Sequence, residues 1–166
     1  MHLLMNVDLL ETVRHDILYR PERFCAAQWA FARNGHRVKE HGDAPIGFKC
    51  CIAGHVLLRG ADFDERALLQ RGGFHDGEHL WQQAGTVSGL TTEQRDELFF
   101  PSQWDKPYKQ DYYLCSRDEE AEIAAAYIDY FISKHNVPAG GPAPLANTPA
   151  TEREPTQEAM TPPRRG

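Results

Sequence analysis

The densest group of chemistry-bearing residues is His75-Asp76-Gly77-Glu78-His79. Its order, His-x-x-Glu-His, is that of a zinc-protease ligand helix. On a helix His75 and His79 stand one turn apart and could share a zinc ion, with Glu78 as general base. Two features oppose this. Gly72, Gly73 and Gly77 weaken any rigid ligand helix. A catalytic zinc needs a third protein ligand, and the sequence supplies no evident one. An exposed helix start accounts for the same residues and is the preferred reading.

A second pair is Cys51 and His55. Four residues apart on a helix, they share a face. A thiol beside an imidazole can ionise and attack a carbonyl carbon. Ile52, Ala53, Val56 and Leu57 surround the pair, however, and cysteine is among the most buried residue types. Packed core is therefore the preferred reading. As a metal site, Cys50-Cys51-x-x-x-His55 lacks a fourth ligand and the Cys-x-x-Cys spacing. Trp29, Trp81, Trp104, Tyr108, Tyr112 and Tyr113 could line a groove, but packing is the commoner use of such residues. The sequence has no phosphate-binding glycine loop, nucleophile elbow or dinucleotide fingerprint.

The elements that must carry these residues read as helices. Asp8 to Tyr19 has Leu10, Val13, Ile17 and Leu18 on one face, with Asn6 or Asp8 to cap it and Pro21 to stop it. Phe24 to Ala32 reads as a second short helix. Arg33 to Lys49, with Gly35, Gly42, Pro45 and Gly47, reads as a long loop or a short β-hairpin. Cys51 to Arg59 is an apolar run ended by Gly60, and it suits a central buried helix. Further helices are expected over Asp64 to Arg71, Asp76 to Ala84 and from Thr91, where Gln94 completes a capping box, to Pro101. Trp104 to Leu114 reads as irregular. Ser116 and Glu119 suggest a capping box for the last helix, whose stripe is Ala124, Tyr127, Ile128 and Phe131. The fold class is mainly α: an irregular bundle of about five to seven short helices.

The chain has 166 residues and a formal net charge of −6. Residues 1–136 are expected to form one globular domain, since that length can bury a core without staples. Residues 137–166 hold seven of the eleven prolines, three Glu and three Arg. They are expected to be a disordered Pro-rich tail. The negative charge therefore falls on residues 1–136, which repels phosphate backbones and makes nucleic acid an unfavoured partner. The basic cluster of His36, Arg37, Lys39 and His41 includes Glu40 and reads as solvated surface. No apolar run has the length of a membrane span. The first ten residues lack the basic start of a signal peptide. The four cysteines do not form a disulfide framework, so a reducing, cytoplasmic setting is expected.

Pro21-Glu22-Arg23-Phe24, Trp29, Cys51-Ile52-Ala53-Gly54-His55 and Gly60 resemble a motif set in a group of small bacterial helical proteins of uncharacterised role. Those proteins carry a Pro-x-x-Phe…Trp segment and a Cys-Ile-Ala-Gly stretch. Arg66-Ala67-Leu68-Leu69, Leu98-Phe99-Phe100-Pro101 and Trp104 fit the same pattern, as does the end of the last helix. Ile46-Gly47-Phe48-Lys49 departs from it, standing where Cys-Gly-Thr is common. The resemblance implies a helical domain and carries no catalytic residue across.

The expectation for function is a small non-enzymatic helical module that binds a protein partner or itself. The alternative is a metal-binding protein or metal-dependent hydrolase using His75, Glu78 and His79, with zinc as the ion. Cys51, His55 and Glu78 are the candidate catalytic residues, and no organic cofactor is expected.

Overall fold

Asn6 accepts a hydrogen bond from the Leu9 N–H at 3.1 Å through its side-chain oxygen, and helix α1, Val7–Tyr19, begins there. This bond occupies one of the donors a helix start leaves unpaired. Leu9, Leu10, Val13 and Ile17 recur at helical spacing and are all buried. Pro21 cannot continue the helix, and Pro21–Arg23 form one 3-10 turn. The computed structural model describes residues 4–71 and 77–136, the side chains of residues 77 and 78 excepted. The Pro-rich tail reading, residues 137–166, lies outside that range, as does His75.

After the turn come two short antiparallel strands, β1 (Ala30–Phe31) and β2 (Lys49–Cys50). Ala30 faces Cys50 and Phe31 faces Lys49. Between the strands lies α2, Gly35–His41, which ends at Gly42 in the left-handed conformation, φ 70°. Asn34 closes the connection: its amide donates to the Ala44 carbonyl at 2.9 Å and its oxygen accepts from the Ile46 N–H at 2.8 Å.

Helix α3, Ile52–Gly60, follows directly and is buried from Ile52 to Leu57. An apolar surface on every side places a helix inside its bundle. It packs against α1, α5 (Gly77–Ser88) and α6 (Thr92–Phe99), while α1 packs in turn against α8, Glu120–His135. Helix α4, Glu65–Arg71, packs on α2, and the Asp64 side chain accepts from the Ala67 N–H at 2.8 Å to cap it. Helix α7, Tyr108–Leu114, packs on α8. Trp104 stacks on Tyr127 with ring centroids 4.8 Å apart, and its indole N–H donates to the Leu98 carbonyl at 3.0 Å. No helix among the described residues is long and apolar enough to cross a membrane.

The mainly helical class with a short antiparallel strand pair matches the sequence expectation. Several local readings do not. Phe24 to Ala32 is not a helix: Phe24 bridges to Cys50, and the Cys25 N–H donates to the Cys50 carbonyl at 3.1 Å. Backbone groups that would have bonded within a helix bond to β2 instead. The 33–49 segment contains α2, and the strand pair sits at its edges. Trp104 to Leu114 is irregular only as far as Pro107; Tyr108 onward is helical. The capping box at Thr91 and Gln94 is complete, whereas at Ser116 and Glu119 only the Ser116 N–H to Glu119 carboxylate bond forms, at 3.1 Å. Gly60 ends α3 by packing rather than by an unusual φ, because a Cβ there would meet Val87 Cγ1 at 2.5 Å and Leu9 Cδ2 at 2.6 Å.

The helix expected over Asp76 to Ala84 does not stop there: α5 runs on through Gly85 to Ser88, and Gly89 follows it with φ 70°. A Cβ on Gly89 would lie 2.0 Å from the Leu4 carbonyl oxygen. Left-handed backbone strain and this clash act together, so Gly89→Ala is expected to lower the unfolding free energy by roughly 2 kcal/mol or more. Thr86→Ala, on the exposed side of α5, should stay within about 0.5 kcal/mol. Chemical denaturation of both variants checks the difference.

Candidate functional site

Gly54 sets the geometry of the thiol–imidazole centre. A Cβ at this position would come within 2.7 Å of Cys50 Cβ, 2.9 Å of Cys50 Sγ and 3.2 Å of the Trp29 carbonyl oxygen. Glycine therefore lets β2 and the Trp29 backbone press against the first turn of α3. The Cys-Ile-Ala-Gly stretch is a packing device at this point.

Cys51 was expected to share a helix face with His55. It is instead the residue before the helix, in extended conformation, with φ −79° and ψ −176°. Its sulfur points toward the Trp29 carbonyl at 4.0 Å. Cys50, on β2, supplies the thiol nearest the imidazole: Cys50 Sγ lies 3.2 Å from His55 Nδ1. The same Nδ1 lies 3.1 Å from the Cys51 carbonyl oxygen. Adjacent residues on an extended backbone point opposite ways. That alternation, had Lys49-Cys50 been read as a strand, would have assigned the pair correctly.

The electrostatics hold this centre neutral. Burial pushes the Cys50 thiol well above its ordinary value, and the neighbouring Cys51 adds to the effect. Burial likewise raises Cys51 to about 11, although backbone N–H groups of Gly54 and Ala53 at the helix start pull the other way. Burial lowers His55, and the hydrogen bond to Cys51 only partly opposes this. A thiolate–imidazolium pair needs both shifts reversed. Among the described residues no carboxylate hydrogen-bonds the imidazole. His55 itself is 5% exposed, at the inner wall of a cavity of about 380 Å³ that Asp16, Arg59 and Glu65 also line. Across that cavity Arg59 forms a two-point ion pair with Asp16, its Nη2 to Oδ1 distance being 2.8 Å.

The second candidate is only partly within the described residues. His79 is exposed on the first turn of α5. His75 and the Glu78 side chain lie outside the described residues, so their meeting with His79 is not part of this geometry. Among the described residues no three of His, Cys, Asp and Glu come together to hold a metal ion.

The aromatic residues divide. Trp104, Tyr108 and Tyr112 join one aromatic cluster with Tyr127 and Tyr130, its contacts stacked, tilted and edge-on. Trp29 and Trp81 meet edge to face at 6.3 Å, and Tyr113 is exposed. His36, Arg37, Lys39 and His41 are exposed as expected, though on a helix rather than a loop.

Sequence reading missed two polar groupings. The first ties α8 to α6 and the segment after it. The Tyr127 hydroxyl donates to Glu97 and accepts from the Asp105 N–H at 3.2 Å. Lys134 bonds Glu97 at 3.1 Å and Asp105 at 2.7 Å, His135 Nε2 bonds Glu97 at 2.9 Å, and Tyr130 donates to Asp105 at 2.6 Å. Burial would raise Glu97, but the bonds from Tyr127, His135 and Lys134 outweigh it and hold the carboxyl below its ordinary value. These bonds join residues about thirty positions apart, so no local spacing announced them. Their partners are all within the fold, which makes the group a clasp. The second grouping surrounds Arg23, which pairs with Glu65 and lies 5.6 Å from the Phe48 ring centre. It borders a cavity of about 530 Å³ containing Arg20, Arg33 and Lys49.

The chain matches no protein-family model, no curated protein and no solved structure.

The lowered His55 has a definite sign in stability. The unfolded imidazole takes up a proton below about pH 6.5, while the buried one resists it, so the contribution is full above that pH and is lost as pH falls toward the folded value. The raised thiols act oppositely: their contribution is full below an ordinary value of 9.0 and is lost as pH rises above it. His55→Phe should flatten the acid limb of a stability–pH profile, removing up to about 1.4 kcal/mol per pH unit of slope. Urea denaturation between pH 7 and pH 5 measures it; an unchanged slope would mean the imidazole is already solvated.

Proposed function

We propose that this chain is a small helical module that acts by binding a protein partner, or a second copy of itself, and catalyses no reaction. The setting proposed is the cytoplasm of a bacterium, with neither nucleic acid nor a membrane as partner. One observation carries the reading. The Cys50–Cys51–His55 centre, the strongest candidate for covalent chemistry, is buried, neutral and without a carboxylate to orient its imidazole. Nucleophilic catalysis needs a thiolate that substrate can reach and a base held in position. The polar clasp on α8 is likewise spent on internal partners. What remains at the surface is a set of charged grooves, which suits recognition. The four cysteines stand as free thiols, in keeping with a reducing compartment. The resemblance to small bacterial helical proteins supports the source.

Zinc binding by His75, Glu78 and His79 is the alternative, favoured by the exposed placement of His79 alone. It requires one metal ion per chain in untagged protein, lost in His79→Ala.

The test uses the full chain cross-linked in its native cells, alongside sedimentation of the purified protein. A reproducible protein partner or a concentration-dependent dimer is expected, retained in Cys51→Ala and His79→Ala. A chain that is monomeric and captures nothing, or a turnover lost in Cys51→Ala, would contradict the proposal.

A further inference from the structure

The β1–β2 pair sets an aromatic ring beside a cation, on a cavity that a second cation also lines. Phe31 lies directly opposite Lys49. Arg33 follows in the turn after β1, and its side chain lines the same cavity as Phe31 and Lys49. Phe31 is 38% exposed, a large apolar surface left in water. All three residues line the cavity of about 530 Å³.

Charge sets this cavity apart from the rest of the molecule. Four cations line it, Arg20, Arg23, Arg33 and Lys49, against two carboxylates, Glu22 and Glu65. Arg20 pairs with Glu22, and Arg23 with Glu65. Among the described residues Arg33 and Lys49 have no carboxylate partner. A cation-rich recess in a chain of net charge −6 concentrates positive potential locally. The cavity also continues along the surface. A second groove, of about 830 Å³, shares Glu22, Phe31 and Lys49 with it, but Asp118 and Glu120 line it beside Arg117, so the cation-rich stretch ends at Lys49.

We propose that this trough docks an acidic peptide segment of a protein partner, with an apolar side chain of the segment against Phe31 and flanking carboxylates on Arg33 and Lys49. The proposal rests on the interaction-module reading and names the chemistry of its partner. Arginine takes a carboxylate through two parallel N–H bonds, and lysine takes one as a point charge. A recess that sets an exposed ring beside two separate unpaired cations fits a short peptide with an apolar side chain and flanking carboxylates better than a compact anion. Two unpaired cations on an acidic body are too few to hold a polyphosphate backbone.

The probe is a fluorescein-labelled peptide, Asp-Glu-Phe-Glu-Asp, titrated with the full chain and read by anisotropy. Saturable binding is expected, weakened roughly tenfold by Arg33→Glu with Lys49→Glu, and by about the same when the peptide's Phe is replaced by Gly. Raising salt from about 0.05 M to about 0.5 M should weaken it as well. Circular dichroism confirms that the double variant is folded. Absence of saturable binding, or equal binding by the double variant, overturns the proposal. So does full displacement by equimolar inorganic phosphate, or preference for a single-stranded oligonucleotide. A native partner that cross-links equally to the double variant would remove the trough and leave the module reading standing; absence of any partner would remove that reading first.

Discussion

From Cys51 to Leu57 seven consecutive residues are buried, and the rest of the bundle is arranged around them. A helix that is apolar on all sides must be covered on all sides, because each exposed large side chain would forgo roughly 1.5–3 kcal/mol. α1, α5 and α6 supply cover, and β2 closes the start of α3. Gly54 makes that closure possible by giving Cys50 and the Trp29 carbonyl room against the helix. Within Cys51 to Leu57 His55 is the one polar side chain besides the Cys51 thiol, and its Nδ1 finds the Cys51 carbonyl and the Cys50 sulfur. A buried imidazole with local partners stays neutral and costs little.

This arrangement decides how the reactive residue types are used. A thiol and an imidazole 3.2 Å apart would be a catalytic pair in an open cleft. Buried, the same contact is one between two neutral groups. The Glu97, Tyr127 and Lys134 clasp shows the same economy elsewhere in the bundle, where α8 side chains bond to Glu97 of α6 and to Asp105. At the strand pair beside Arg23, by contrast, Arg33 and Lys49 have no carboxylate partner among the described residues and Phe31 is exposed.

The sequence made much of this legible. α1 and α8 could be read from stripes such as Leu10, Val13 and Ile17 or Tyr127, Ile128 and Phe131, since each stripe follows the helical period. The burial of Cys51 and His55 followed from their apolar neighbours. The errors arose where distant partners decide local structure. Phe24 to Ala32 has an apolar content that suits a helix, but its backbone bonds to residues about twenty-five positions later. Which thiol meets His55 depended on β2 being extended, and a two-residue strand leaves no period to detect. α2 rests on a left-handed Gly42 and on Asn34 bridging its loop, both tertiary choices. The trough was invisible because Lys49 reaches Phe31 only through strand pairing, and Arg33, sixteen residues from Lys49, joins the same cavity from the turn after β1.

The central claim, that α3 is the enclosed core of the domain, is tested most directly by native-state hydrogen exchange. Amides of Val56 and Leu57 should be among the slowest in the chain, exchanging only through global unfolding, while those of α2 and α7 open locally. Amides of α3 that exchange as fast as those of α2 and α7, by local opening well below the global unfolding free energy, would contradict it.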